Sequence, residues 1–497
     1  MSQKPNQIET SEKGSLFDKE RWGLPTEAVA DLADRLHRVW ERFRNCLTTK
    51  TRDTSKYAKV YLRGLLTMDA KRNYANIARR VIDPADDGQN LQHFMSDSPW
   101  KGRSIFTQIQ TEIQQRPDFN AGLLTLDESG DKRSGTESAG VSRQYIGRMG
   151  KVDTGQVGVA LGYYQSGVWA MVDAELYLPE IWFEKEGAEL QKRWHIPKDR
   201  VFATKTELGL EMIARARANG LPFEVVTCDN WYGRDSSFRA ELATLGEIYL
   251  ADIPANTSVY LNRPIVGVPQ TPIGKRGRPF KRLKVLNQVR PIPVRALVSE
   301  VPLKMVPVRE TERGWLRYTC AALSVWTVTE EGTVHQETLF IWRKPDGHFS
   351  FSLTNAPVGT PLKKLAYWRS GRYFVERTFQ DAKTECGWDE LVARKYRAFL
   401  HHTALDALAL WFMAETKLDF LALYPRDESL MEQLELSQLP GLSIANIREL
   451  LKAVLPLKQL TKEQATALVV KHLVARASAT RCRTKQQQRD CQQGRAP

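Results

Sequence analysis

The sequence predicts an α/β protein with helical regions at both ends, a segment of alternating strands and helices, and a β-like, proline-rich stretch after it. Three observations carry this. Apolar residues recur at three- and four-residue steps before residue 118, with little glycine or proline until Pro84. From Gly122 the texture alternates between short apolar runs and helical stretches. From Asp252 to about Pro361 it turns β-like and proline-rich.

Residues 1–24 are polar and lack periodic apolar spacing, so they read as disordered. Residues 25–118 read as an all-helical domain. Val29, Leu32, Leu36, Val39, Trp40, Phe43 and Leu47 mark one amphipathic face, and shorter helical patterns cover 57–66, 73–81 and 105–115. Residues 119–251 form the first part of the core. An apolar strand from Gly122 ends at Asp127, and a glycine-rich polar segment runs from 129 to 155. A hairpin spans 157–164 and 168–176, turning at Gln165-Ser-Gly167. Helix 206–219 stops at Gly220, followed by strand 223–228, helix 236–245 and strand 247–251. The order is β-β-β-α-β-α-β.

Residues 252–361 read as a β-rich, proline-rich region with a basic loop, its strands at 292–301, 318–328, 338–342 and 349–353. Helices at 365–383 and 395–417 fall in a second core segment, 362–420. A helical region, 421–476, and a basic disordered tail, 477–497, follow.

The chain has 497 residues, 42% hydrophobic, and a net charge of +14. The charge is local. Residues 261–299 hold nine Lys/Arg and no acid, and 471–497 hold seven Lys/Arg against one acid. The rest is close to neutral, as a polyanion footprint requires; solvated loops and tails are the plainer alternative. Cys46, Cys228, Cys320, Cys386, Cys482 and Cys491 form no C-x-x-C pair, which suits a reducing cytoplasm. No signal peptide and no run of about 20 apolar residues stands out, so no membrane association is expected. The most apolar run, 403–414, is broken by Asp406, and no P-loop pattern occurs.

Three acids stand out. Asp127 and Asp229 each end an apolar strand pattern, where a carboxylate faces the open edge of a sheet. Glu376 lies in a helical stretch with Arg369, Arg372 and Lys383, at steps that put all four near one face. That face is either a surface ion-pair array or a phosphate-gripping surface around a metal ligand. Two carboxylates at strand ends and one on a helix suit a pair of hard divalent cations. Asp235, Asp252, Asp381 and Glu385 read as caps or solvated charges, and Glu128 as pointing away from Asp127.

Arg372, Glu376 and Lys383 match the R, E and K of a Y-x2-R-x3-E-x6-K signature, with Arg369 in the tyrosine position. Leu126-Asp127-Glu-Ser-Gly130, Arg143-Gln-Tyr145, Gly150-Lys151 and Gln156-Val-Gly158 look like a first catalytic block, and Asp229-Asn-Trp-Tyr-Gly233 like a second. In this order, over roughly 60–415, they resemble the DDE transposases of bacterial insertion sequences. The resemblance implies an RNase H-like core, interrupted by residues 252–361 as a β-rich insertion. It implies cut-and-paste DNA transposition, in which Asp127 would bridge two Mg²⁺ ions and Asp229 and Glu376 would each complete one, with Mn²⁺ able to substitute. Arg372, Lys383 and Arg369 would contact DNA. The partners implied are terminal inverted repeats and target duplex, held by a homodimer in the nucleoid of a bacterial cytoplasm. A catalytically inactive DNA-binding descendant and a stand-alone RNase H-like nuclease are the alternatives.

Gly274-Lys275-Arg276-Gly-Arg278-Pro279 resembles an AT-hook core, with Lys275, Arg276 and Arg278 in a narrow minor groove; a non-selective basic loop is the alternative. Trp315, Trp326 and Trp342 are either core residues or stacking platforms for a flipped base. His401-His402 reads as an ordinary helix pair rather than a metal site.

Overall fold

The computed structural model describes residues 14–492, apart from residue 186, residues 270–280 and residues 313, 345 and 392. A single mixed sheet of ten strands organises it. In chain order these are β1 (Gly122–Lys132), β2 (Ser142–Ile146), β3 (Lys151–Gln165), β4 (Val168–Leu176), β5 (Phe223–Cys228), β6 (Tyr249–Ile253), β7 (Lys304–Thr311), β8 (Gly314–Val328), β9 (Val334–Arg343) and β10 (Phe349–Thr354). Across the sheet the order is β7-β8-β9-β10-β6-β5-β1-β3-β2, with β4 also on β3. β1, β5 and β6 are mutually parallel, and the other pairings are antiparallel. This is the mixed α/β architecture of an RNase H-like core. The β-rich insertion continues the sheet, because β10 pairs with β6 from Phe351↔Ile253 to Thr354↔Leu250.

Helices cover both faces. The principal ones are α1 (Leu32–Phe43), α2 (Ser55–Thr67), α3 (Gly102–Gln115), α4 (Lys205–Ala218), α5 (Ser236–Thr244), α6 (Leu362–Gly371), α7 (Tyr373–Asp381), α8 (Tyr396–Leu423), α9 (Ile444–Val454) and α10 (Lys462–Gln492). Strand alternation splits β1 between two cores. Leu124 and Leu126 join the core beneath α4, where Gly209 lies so close that a Cβ would meet Leu126 Cδ2 at 2.4 Å. Leu123 joins a second core with Leu365, Trp368 and Phe374 of α6 and α7. Asp127, two pleats on from Leu123, therefore faces α6 and α7. α4 starts cleanly because Thr204 and Glu207 form a capping box. α8 is apolar all round and buried along most of its length, as such a helix must be. It shares one core with the N-terminal helices: Phe43, Leu65, Ile109 and Trp411 belong to the same cluster. Trp411 Nε1 donates to Glu112, which also takes Arg42.

Several expectations need correction. The first strand does not end at Asp127. It runs to Lys132, because β3 offers antiparallel partners as far as Lys132↔Gly155. The polar segment 129–155 holds β2 and the start of β3; these half-exposed edge residues need no apolar alternation to pair. The strand expected at 292–301 is reduced to Ile292–Pro293, followed by a 3₁₀ segment, Val294–Glu300. Pro291 and Pro293 supply no N–H for a ladder. β7 was missed; Pro307 breaks its pattern, and its register shifts between Pro307 and Arg309. Residues 14–24 are turns rather than disordered chain, pinned by Arg21 to Asp427 at 2.7 Å and Ser429 at 2.9 Å. Residues 1–13 lie outside the described residues. The basic tail expected to be disordered is helical to Gln492, since no glycine or proline interrupts 462–492 and Ala, Leu, Gln, Lys and Arg favour helix. Residues 493–497 lie outside the described residues. Among the described residues no helix is long and apolar enough to cross a membrane.

Candidate active site

The three parallel strands set the geometry. Leu126 is opposite Cys228, and Cys228 is opposite Ala251. The next residue on each strand is an acid: Asp127, Asp229 and Asp252. Neighbouring strands are about 4.8 Å apart, so these carboxylates form a row along the carboxyl edge of β5 and β6. The sequence reading took Asp252 for a cap or solvated charge. The structure shows a half-buried side chain under α6 and α7.

Asp127, like Asp229 and Asp252, is half-buried. Burial, and then neighbouring Asp229, push its carboxyl up to about 7; Arg372 and its own hydrogen bond from Glu128 N oppose this. Asp229 starts the short helical turn Asn230–Gly233 and accepts from Trp231 N at 2.9 Å and Tyr232 N at 3.2 Å, both on Oδ1. Those bonds fix its orientation as an N-cap. Gly233 lets this turn press onto β6, where an added Cβ would stand 2.0 Å from Asp252 O.

The helix residues arrive through α6, α7 and the turn after α7. Arg369 Nε is 2.9 Å from Asp252 Oδ1, and Arg372 Nε is 3.3 Å from Asp252 Oδ2. Ser352 Oγ, opposite Asp252 in the β10–β6 ladder, donates to Asp252 Oδ1 at 2.7 Å. Arg372 Nη2 reaches back to Glu376 Oε1 at 3.2 Å. Burial works against the Arg372 cation, yet Asp252, Asp127, Glu376 and Asp229 together raise its pKa above that of an ordinary guanidinium. Arg372 thus contacts Asp252 and Glu376 directly and feels the charges of Asp127 and Asp229. The Glu376 side chain is 54% exposed. Lys383 pairs with Asp131 of β1 at 2.7 Å, and Lys205 pairs with Glu128 at 2.6 Å. Arg369, Arg372 and Lys383 are thus each matched by a carboxylate of the fold. Lys275, Arg276 and Arg278 lie outside the described residues.

The donor set fits a hard divalent cation in part. Asp127 and Asp229 present adjacent oxygen ligands whose mutual repulsion such an ion would relieve. Yet among the described residues no three His, Cys, Asp or Glu side chains are assembled as a metal-holding group. Glu376 is engaged with Arg372.

The remaining candidates resolve individually. Asp235 caps α5 through Ser237 N and Phe238 N. Asp381 is neither a cap nor solvated; it is buried and accepts from Trp169 Nε1 at 2.9 Å. Glu385 lies 3.5 Å from Arg448. Trp342 is buried beneath Arg369, Trp326 is half-buried under Arg263, and Trp315 is exposed. His401 contacts the carbonyls of Met95 and Trp100, and His402 contacts Tyr61 and Trp388. Burial lowers their pKa values to about 3 and about 4, as expected of core histidines. The sequence reading missed Asp252. Its signal was positional: a third acid, one residue past the Ala251 that pairs with Cys228 on a third parallel strand.

The sequence profile described as "DDE superfamily endonuclease" matches residues 42–317. A protein of Microchaete diplosiphon described as "Probable transposase for insertion sequence element IS701" is 27% identical over 329 residues, covering 66% of this chain and 74% of that protein.

Proposed function

We infer, from the premise that this chain belongs to the DDE superfamily endonucleases, that it is an insertion-sequence transposase. It cleaves DNA at the element's ends and transfers the freed strand ends into target DNA. The Microchaete relative supports this reading over a nuclease acting alone. The observation that carries it is the adjacent placement of Asp127 on β1 and Asp229 just past β5, with Glu376 on α7.

In this reading Asp127, Asp229 and Glu376 would hold Mg²⁺, for which Mn²⁺ would substitute. When bound, such ions activate the attacking water or 3′-OH and stabilise the leaving oxygen. The protein's part is to hold and orient. The Asn230–Gly233 turn aims Asp229 through two backbone donors. Glu376 leaves Arg372 to join the aspartates once DNA is seated. Arg372, Arg369 and Lys383 would exchange their carboxylate partners for phosphates of the bound strand. Residues 25–118 read the inverted repeats, and the basic loop with Lys275, Arg276 and Arg278 grips flanking duplex. Two copies pair the two ends.

The deciding experiment supplies purified protein with its own end DNA and Mg²⁺. Asp127→Ala, Asp229→Ala and Glu376→Ala should each lose strand cleavage while keeping end binding by gel shift. Normal nicking by any one variant removes that residue from the site. Cleavage without joining to target would favour a stand-alone nuclease. A wild type that binds ends but never cuts would favour an inactive descendant.

A further inference from the structure

Asp252 has no part in the mechanism above, yet it is the most heavily engaged acid of the row. Arg369 and Ser352 share one of its oxygens, and Arg372 lies against the other. Those contacts leave Asp252 unsuited to bind a cation itself. Ser352 is fully buried and locked in the ladder opposite Asp252, so the anchor is rigid.

The charges around it are four carboxylates, Asp127, Asp229, Asp252 and Glu376, against two guanidiniums, Arg369 and Arg372. Lys205 and Lys383 are already paired, with Glu128 and Asp131. With all four acids ionised, two negative charges remain to attract a divalent cation. Which carboxylates stay free depends on where Arg372 rests. Its guanidinium feels all four charges, and its Nε lies 3.3 Å from Asp252 Oδ2 on β6.

We propose that Asp252 is a positioning residue: by anchoring Arg372 it keeps a guanidinium off the Asp127–Asp229 pair and leaves that pair open to a divalent cation. This rests on Asp127 and Asp229 being the metal ligands. Without the Asp252 charge, Arg372 falls back on the two aspartates, and protein cation and metal ion compete for the same oxygens. Removing Arg372 as well ends the competition and restores the count of two unpaired negative charges.

The test is Mn²⁺ binding by electron paramagnetic resonance, on the full chain without DNA, with melting curves for each variant. Asp252→Asn should weaken Mn²⁺ binding by about tenfold or more, the range found when partners behind a metal ligand are lost. Asp252→Asn combined with Arg372→Gln should recover most of that loss, although DNA cleavage stays impaired. Arg372→Gln alone should bind Mn²⁺ at least as tightly as wild type. Wild-type binding by Asp252→Asn overturns the proposal. So does a double variant as weak as Asp252→Asn, the result a merely structural role gives. If Asp252→Asn fails to fold, weakened binding by Arg372→Gln overturns it instead. Mn²⁺ binding that is absent, or unchanged in Asp127→Asn, would remove the metal site itself, a separate failure.

Discussion

Asp127 is a carboxylate held against its own charge. Its pKa rises from 3.8 to about 7 because burial and then Asp229 disfavour ionisation. The consequence for stability has a definite sign. Below about pH 4 folded and unfolded chains both carry the proton, and nothing is lost. Between about 4 and 7 the unfolded chain ionises first, so stability falls as pH rises; above about 7 the loss is complete. A rise of about three units corresponds to on the order of 4 kcal/mol at most. Asp127→Asn should therefore match wild type at pH 4 and exceed it at pH 8, in urea unfolding without metal. Mg²⁺ should narrow the gap at pH 8 by stabilising wild type alone, since binding favours the ionised carboxylate. A gap that is the same at both pH values would mean Asp127 ionises normally.

Single elements place these acids, and small residues set how closely the elements approach. Gly233 is the tightest case, because the neighbouring atom is backbone: an added Cβ would sit 2.0 Å from Asp252 O. Gly233→Ala must push the Asp229 turn off β6 or displace Asp252. A cost of roughly 1–3 kcal/mol in chemical denaturation is expected, together with lost cleavage. Unchanged stability would show that the turn is free to move. At this scale the sequence was readable where periodicity was strong. β4, β5, α4 and α5 agree with the apolar runs and cap signals to within a residue or two. It was unreadable where pairing, not composition, makes the strand: β2 is polar, and β7 is broken by Pro307.

Over the whole molecule, the insertion and core share one sheet, and α10 departs from the body almost entirely exposed. Val469, Val470, Leu473 and Val474 of α10 are more than half exposed, and basic residues follow them. A helix that buries so little contributes little to stability. Truncation after residue 461 should leave the melting temperature of the body unchanged. It should weaken duplex binding, and make the slope of log affinity against log salt shallower by up to about five if all six excess charges touch phosphates. An unchanged slope would mean the tail lies away from DNA.

The sequence alone determined the family of the protein and named the residues proposed for its chemistry. Apolar runs ending in Asp127 and Asp229, and the Arg372–Glu376–Lys383 spacing, are local facts that survive without coordinates. What only the tertiary structure decided is which charge meets which. Asp252 lies 23 residues past Asp229 and looks unremarkable in the chain. It becomes the anchor for Arg369 and Arg372 because parallel pairing aligns β1, β5 and β6 in register and α6 and α7 close over that face. Coulomb energy depends on distance through space, and distance along the chain does not report it.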